Sequence, residues 1–360
     1  MTPMTPRERL MAALEGRPTD KTPVWLLFPF HPVSYYVDVR THPGYKTVFD
    51  ASRERGVILL NRRHLNAPLH EAGVVSTREE IPGRGPGQRL EYKGRSIVSA
   101  AGKKLLDDDD DLAFYCGLPV EADPARIIPL LDRQLPACLR ERAEFPADEG
   151  AMMLDLGSPV NPLYFQSNLE SYAIWSLTCP DLVEDLLQRF MARLRIIYRY
   201  ALEHDLADVY FLVGSELASP PLLGLETFRR WLVPFEKELI ALIHSYGKKV
   251  IQHYHGQIRE VLPDFVEMAP DGLHTIESPP VGNCTLSQAY DIVGDRITLI
   301  GNIQYDEFRS SSTQDMARAV RAVLEEVNGR RFILSPTAGP FDPDPPPRLF
   351  ENYLAFMKNS

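Results

Sequence analysis

No apolar run in the chain approaches the roughly 18 residues that a membrane-spanning helix requires. Residues 1–16, MTPMTPRERLMAALEG, are amphipathic and lack the apolar core of a signal peptide. The location expected is the cytoplasm, with no membrane partner. Only four cysteines are present, Cys116, Cys138, Cys179 and Cys284, far apart and without a CxxC pair. That spacing excludes a disulfide framework and reads as reduced, buried thiols. Positive charge is also short, with 39 basic against 49 acidic side chains and a net charge of -10. Nothing here draws the chain to a phosphate backbone, so nucleic acid is excluded as a partner. GxSxG, GxxxxGK[ST] and a GxGxxG following the first apolar run are all missing. Serine hydrolase, nucleotidase and Rossmann dehydrogenase chemistry lose their support with them.

Proline, by contrast, is abundant, at 31 of 360 residues against a usual ~5%, which implies many sharply turned loops. The first helix is marked by Thr5-Pro6-Arg7-Glu8, a capping box with proline at the first helical position, and Gly16 stops it. Short apolar runs then recur at residues 23–28, 57–60, 152–156, 209–213, 249–253, 272–276, 297–300 and 331–334. Each reads as a strand buried on both faces. Helical periodicity fills residues 181–203, 228–246, 258–268, 286–293 and 313–327 between the later runs. Such alternation implies right-handed crossovers and a parallel sheet. The fold expected is α/β, a single (β/α)8 TIM barrel over residues 1–360 with a hairpin and helical insertion, residues 67–150, after the second strand. The hairpin is expected to turn at Lys93-Gly94. The acidic run 107–111 lacks the alternating ligands and glycine of an EF-hand, and reads as a solvated loop.

Barrels of this kind place their chemistry where strands give way to loops at the C-terminal rim. Polar residues cluster there: His31, Tyr35 and Tyr36 after the first run, Asp155 and Asn161 after the third, Glu216 after the fourth, His253 and His255 at the fifth, Glu277 after the sixth, Asn302 and Gln304 after the seventh. Residues two apart in an extended segment point to one side, so His253 and His255 are able to converge on one atom. A borderline cation such as zinc accepts such ligands, with Glu277 or Glu216 as a harder third. The alternatives are histidines that bind substrate or move protons, and a plain strand end. For Asp155, Glu216 and Glu277 the structural alternative is a buried carboxylate paired with an arginine. Phe28, Phe30, Tyr35 and Tyr36 read as a lid over the mouth, although Phe28 suits the core equally well.

In order and spacing the chain resembles the uroporphyrinogen decarboxylase superfamily nearly end to end. Thr5-Pro6-Arg7-Glu8-Arg9-Leu10 followed by Pro23-Val24-Trp25, Gly301-Asn302-Ile303, Phe332-Ile333-Leu334-Ser335 and the closing Glu351-Asn352-Tyr353-Leu354 carry the likeness. Porphyrin decarboxylases have an arginine-rich loop after the first strand, where this chain reads Leu26-Leu27-Phe28-Pro29-Phe30-His31. The resemblance is therefore nearer to the corrinoid-dependent methyltransferase branch, whose His-x-Cys-Gly motif is similar to His253-Tyr254-His255-Gly256 with histidine replacing cysteine. Ser335-Pro336-Thr337-Ala338-Gly339 supplies no second thiol.

The resemblance implies methyl transfer between a small methylated substrate, such as a methyl ether, and a corrinoid carried by a separate partner protein. It implies zinc or another divalent metal at His253, His255 and Glu277. Catalytic roles fall to His253, His255, Glu216 and Asp155, and substrate binding to Phe30, His31, Tyr35, Tyr36, Asn161, Asn302 and Gln304. A metal-independent decarboxylase of a small carboxylic acid and a non-catalytic binding barrel remain as alternatives, and a homodimer stays open.

Overall fold

The computed structural model describes residues 2–33, 35–81 and 85–360. Among the described residues ten strands form: β1 (Leu59–Arg63), β2 (Val75–Ile81), β3 (Gly85–Tyr92), β4 (Arg95–Ser99), β5 (Gly150–Leu154), β6 (Val209–Val213), β7 (Lys249–His253), β8 (Gly272–His274), β9 (Thr298–Ile303) and β10 (Phe332–Pro336). Seven of them make one curled parallel sheet in the order β1-β5-β6-β7-β8-β9-β10. Its two edges are linked by the extended pair Val24 and Trp25. Val24 bridges Leu334 of β10 and Trp25 bridges Ile58 beside β1, both in parallel. The architecture is TIM-barrel-like, but the first apolar run contributes only that bridge pair where a full strand was expected. Leu27 takes a left-handed φ of 61°, which turns the chain away from extended pairing soon after the bridge.

Side chains alternate strictly across this wall. Trp25, Leu27, Ile58, Leu60, Ala151, Met153, Val209, Phe211, Ile251, Ile300 and Ile333 fill the interior. Their sequence neighbours Val24, Leu26, Leu59, Met152, Leu154, Tyr210, Leu212, Val250, Leu299 and Leu334 pack outward against the helices. That two-sided burial is why each strand reads as an unbroken apolar run. The helix Pro6–Leu14, with both halves of its capping box made at Thr5 and Glu8, plugs one end of the ring. Leu10, Ala13 and Leu14 join the interior cluster, Thr298 Oγ1 donates to the Ala13 carbonyl at 2.6 Å and Arg331 to that of Leu14 at 3.0 Å. The opposite rim carries the C-terminal ends of the strands.

Two helical expectations change. The pattern over 228–246 is two helices, Leu225–Trp231 and Val233–Ser245, because Pro234 has no N–H to bond the preceding turn and its ring crowds the carbonyl four residues back. The 258–268 pattern narrows to Leu262–Met268. Between β1 and β5 lie the antiparallel sheet β2-β3-β4 and the helices Asp109–Cys116, Pro124–Asp132 and Leu135–Glu144. Lys93 and Gly94, both at positive φ, make the β3–β4 turn. The third strand, β2, was not foreseen because almost all of its residues are exposed, leaving no apolar alternation to see. The acidic run is no free loop. Asp108 caps the helix Asp109–Cys116 by accepting from the Asp111 N–H, and Asp109–Asp111 occupy the first turn, where carboxylates favour the helix dipole. No helix among the described residues is long and apolar enough to cross a membrane.

Candidate active site

Inward parity continues to the rim, where the apolar column gives way to polar side chains. His253 and His274 sit opposite each other in the β7–β8 register. Their Nδ1 atoms lie 2.7 Å apart, the rings stack with centroids 4.8 Å apart, and His274 Nε2 lies 3.0 Å from the Pro336 carbonyl. Burial drives the basicity of His253 far down, helped by His255, His274 and Arg62 nearby. The same burial lowers His274 to about 3. Both rings are neutral at physiological pH.

His255 packs edge-on against His253 with centroids 4.5 Å apart and places Nδ1 3.4 Å from Glu277. Burial works against its cation, but the Glu277 carboxylate outweighs it and raises the pKa. Glu277, in turn, resists the upward push of burial and is held low by His255, by the Gly256 N–H at 2.7 Å and by Gln304. Glu216, from the short turn Ser215–Ala218 after β6, is close enough to feel both charges, and burial raises its pKa. Its Oε2 has no partner among the described residues. His253, His255, Glu277, Glu216 and Gln304 therefore share one side of the rim.

On the other side Asp155 is paired with Arg62, the last inward residue of β1, in a contact that leaves the arginine side chain 12% and the carboxylate side chain 6% exposed. Asp155 also accepts the Gly157 N–H at 3.0 Å. The Arg62 guanidinium lies 4.9 Å from the Tyr35 ring and 5.2 Å from Phe211, and the Phe211 ring packs at a tilt against His253 with centroids 5.3 Å apart. One continuous layer thus joins the carboxylate to the histidines. Tyr35 and Tyr36 cover Arg62 with their rings 4.6 Å apart. Tyr36 is pressed so closely on Gly339 that a Cβ there would lie 2.5 Å from the ring, and the Val37 N–H donates to Pro340 at 2.7 Å. Asn302 donates to Ser278 Oγ at 3.0 Å. Asn161 donates to the Val213 carbonyl at 3.2 Å beneath Gly214, whose φ is 106° and where an added Cβ would fall 2.8 Å from Asn161 Oδ1, leaving no room for a side chain.

Phe30 and His31 do not join this site. Phe30 shares the outward parity of Leu26 and Phe28 and packs between Phe49 and Phe145 with Arg40 over its ring. His31 meets Phe30 edge-on, its backbone N–H donates to Asn61 and its Nε2 faces Glu144 at 3.5 Å. Phe28 is likewise core, against Tyr45 and Tyr353. The lid reduces to Tyr35 and Tyr36. Three residues at or behind the rim had been overlooked: Arg62, His274 and Glu236. Glu236 is wholly buried behind the wall, where Gln252 and Ser215 Oγ, the latter at 3.0 Å, donate to it.

The expected zinc set does not fit this arrangement. His253 Nδ1 is taken by His274 and His255 Nδ1 faces Glu277, which leaves only Nε2 of each ring for a metal. No three His, Cys, Asp or Glu side chains among the described residues converge as a metal site requires.

Residues 156–358 match the uroporphyrinogen decarboxylase (URO-D) family. The chain belongs to that family. Among its URO-D relatives, the Methylcobamide:CoM methyltransferase MtaA of Methanosarcina barkeri (strain Fusaro / DSM 804) is 27% identical over 316 residues, covering 84% of each chain. A second Methanosarcina barkeri protein of the same name is 26% identical over 308 residues, again 84% of each. A methyltransferase from Methanosarcina mazei superposes with a TM-score of 0.63 at 20% identity, over 99% of this chain and 98% of that one, which shows a shared fold. The URO-D likeness thus runs to the corrinoid methyltransferase branch, in keeping with the missing arginine-rich loop.

Glu277 owes its position to Gly282, where a Cβ would fall 1.9 Å from the Glu277 carbonyl oxygen. Backbone cannot yield cheaply. Gly282→Ala is expected to displace the Glu277 loop at a cost of about 1–3 kcal/mol, read as a lower urea midpoint. An unchanged midpoint would mean that the loop accommodates the methyl group and does not fix Glu277.

Proposed function

We propose that this chain is a methyltransferase that moves a methyl group between a small methylated substrate, a methyl ether being the form considered, and a corrinoid carried by a separate protein. The observation that carries this reading is the similarity to two methylcobamide-using methyltransferases over 84% of the chain. It treats residues 1–360 as one domain, a (β/α)8 barrel in which Val24 and Trp25 stand in for the first strand, with 67–150 inserted at its side. In the methyl-ether direction the methyl group leaves as its carbon–oxygen bond breaks. Both bonding electrons stay on oxygen, and the reduced cobalt of the partner supplies the pair for the new bond. The leaving oxygen needs a proton. His255, held in its cationic form by Glu277, is placed to give it, and Tyr35 and Tyr36 keep water from the reacting carbon. No step is routed through a metal, because the residues present do not form a metal site.

The test mixes purified protein with free reduced cobalamin and a panel of aryl and alkyl methyl ethers, and follows the cobalamin spectrum. Methylcobalamin should accumulate with at least one ether, and His255→Ala should slow the reaction by roughly 10²–10⁴-fold, the usual worth of a general acid. Release of carbon dioxide from small carboxylic acids without any cobalamin methylation would overturn the reading in favour of decarboxylation. No turnover in either assay would favour a binding barrel.

A further inference from the structure

The 2.7 Å contact between the Nδ1 atoms of His253 and His274 requires one of them to carry the proton and the other to accept it. The Pro336 carbonyl, 3.0 Å from His274 Nε2, only accepts, so His274 carries its proton on Nε2. A second proton on His274 would make an imidazolium at 0% exposure. The nearest carboxylate, Glu277, is already engaged with His255 and the Gly256 N–H, so such a charge would have no partner to offset its desolvation. His274 Nδ1 is therefore bare, and the proton in the contact belongs to His253 Nδ1. The remaining nitrogen, His253 Nε2, then holds a free lone pair and has no partner among the described residues.

We propose that His274 is a positioning residue that fixes His253 as its Nδ1–H tautomer, so that Nε2 meets the substrate as a hydrogen-bond and proton acceptor. The order of groups is Pro336 C=O, His274 Nε2–H, His274 Nδ1, His253 Nδ1–H, with polarity set by a backbone carbonyl that cannot be reversed. Rim chemistry is then divided between two neighbouring imidazoles. His255, beside Glu277, is the donor; His253, backed by His274, is the acceptor. Such a pair suits a substrate that presents a hydroxyl or thiol to one ring and an oxygen to the other. This deepens the methyl-transfer reading and rests on it for the identity of the substrate, but the tautomer itself does not depend on it.

The test uses the full chain labelled with ¹⁵N-histidine, with each ring assigned by single substitution. At neutral pH the wild-type His253 should show a pyrrole-type Nδ1 and a pyridine-type Nε2. In His274→Phe, which removes the acceptor, His253 should shift to a tautomer mixture with Nε2 largely protonated. In His274→Asn the side-chain carbonyl is placed to accept from Nδ1–H, and the wild-type pattern should return. With an active methyl donor, His274→Phe should lower kcat by roughly 10–100-fold, as loss of an orienting hydrogen bond does, with KM little changed. His274→Asn should stay within about threefold of wild type. A wild-type His253 protonated on Nε2, or an unchanged His253 pattern in a folded His274→Phe variant, would overturn the proposal. If cobalamin is never methylated but the tautomer pattern holds, the methyl-transfer reading falls and the positioning role stands.

Discussion

Arg62→Met should destabilise the protein by about 3–5 kcal/mol in urea denaturation, the cost of removing one partner of a buried ion pair. Met fills the same volume as the arginine stem, so the loss comes from Asp155. That residue is 5% exposed and its carboxylate would keep only the Gly157 N–H and the His64 ring, its Nδ1 3.9 Å away, for compensation. Adding Asp155→Asn should recover most of the loss, because the double variant buries no net charge. Arg62→Met, alone or with Asp155→Asn, should also lose the seating of Tyr35 over the guanidinium. A cost below about 1 kcal/mol for Arg62→Met, in the range of an exposed pair, would show that water reaches the contact and that Arg62 does not hold the mouth together.

Arg62 also shows where reading the sequence fails and why. Strands buried on both faces announce themselves by apolar residues alone, so all eight runs were visible. The runs stop being apolar where the inward column turns polar, which is where function begins. The second run was therefore cut at Leu60, whereas β1 continues to Arg63 and carries Arg62 inward on the parity of Ile58 and Leu60. His274 was hidden for the opposite reason, since it lies inside the sixth run and passed as part of a core strand. Its inward position follows only from register with His253. His253, His255, Glu216 and Glu277 were legible because a strand end and its loop fall on one rim. Phe30 was misplaced because parity was not followed through Leu26 and Phe28, whose faces are outward; His31 has the opposite parity, and its seat against Phe30 and Asn61 shows only in the fold. Metal convergence was never readable, as it depends on which ring nitrogens are already bonded.

Glu236 makes the second large effect, and its sign follows from burial. It is fully enclosed, and burial, only partly opposed by hydrogen bonds from Gln252, Ser215 and Ser158, raises its pKa to about 7. In the unfolded chain the same group titrates near an ordinary ~4.3. Between those values the folded protein retains a proton that the unfolded chain has released, so stability falls as pH rises. The Glu236 contribution is highest below about pH 4, declines through the window and levels off above about pH 7. At about 1.4 kcal/mol per pH unit, the loss across the window is on the order of 4 kcal/mol. Glu236→Gln mimics the protonated form and carries no charge to release, so its stability should lack this decline, and at pH 8 it should exceed wild type by about that amount. The measurement is urea unfolding of both proteins at unit steps from pH 4 to 8, and the quantity to compare is their difference. Parallel curves would mean that Glu236 is ionised in the fold at neutral pH. The rim would then carry a second charge behind Glu216, and the push on Glu216 would be electrostatic as well as a matter of burial.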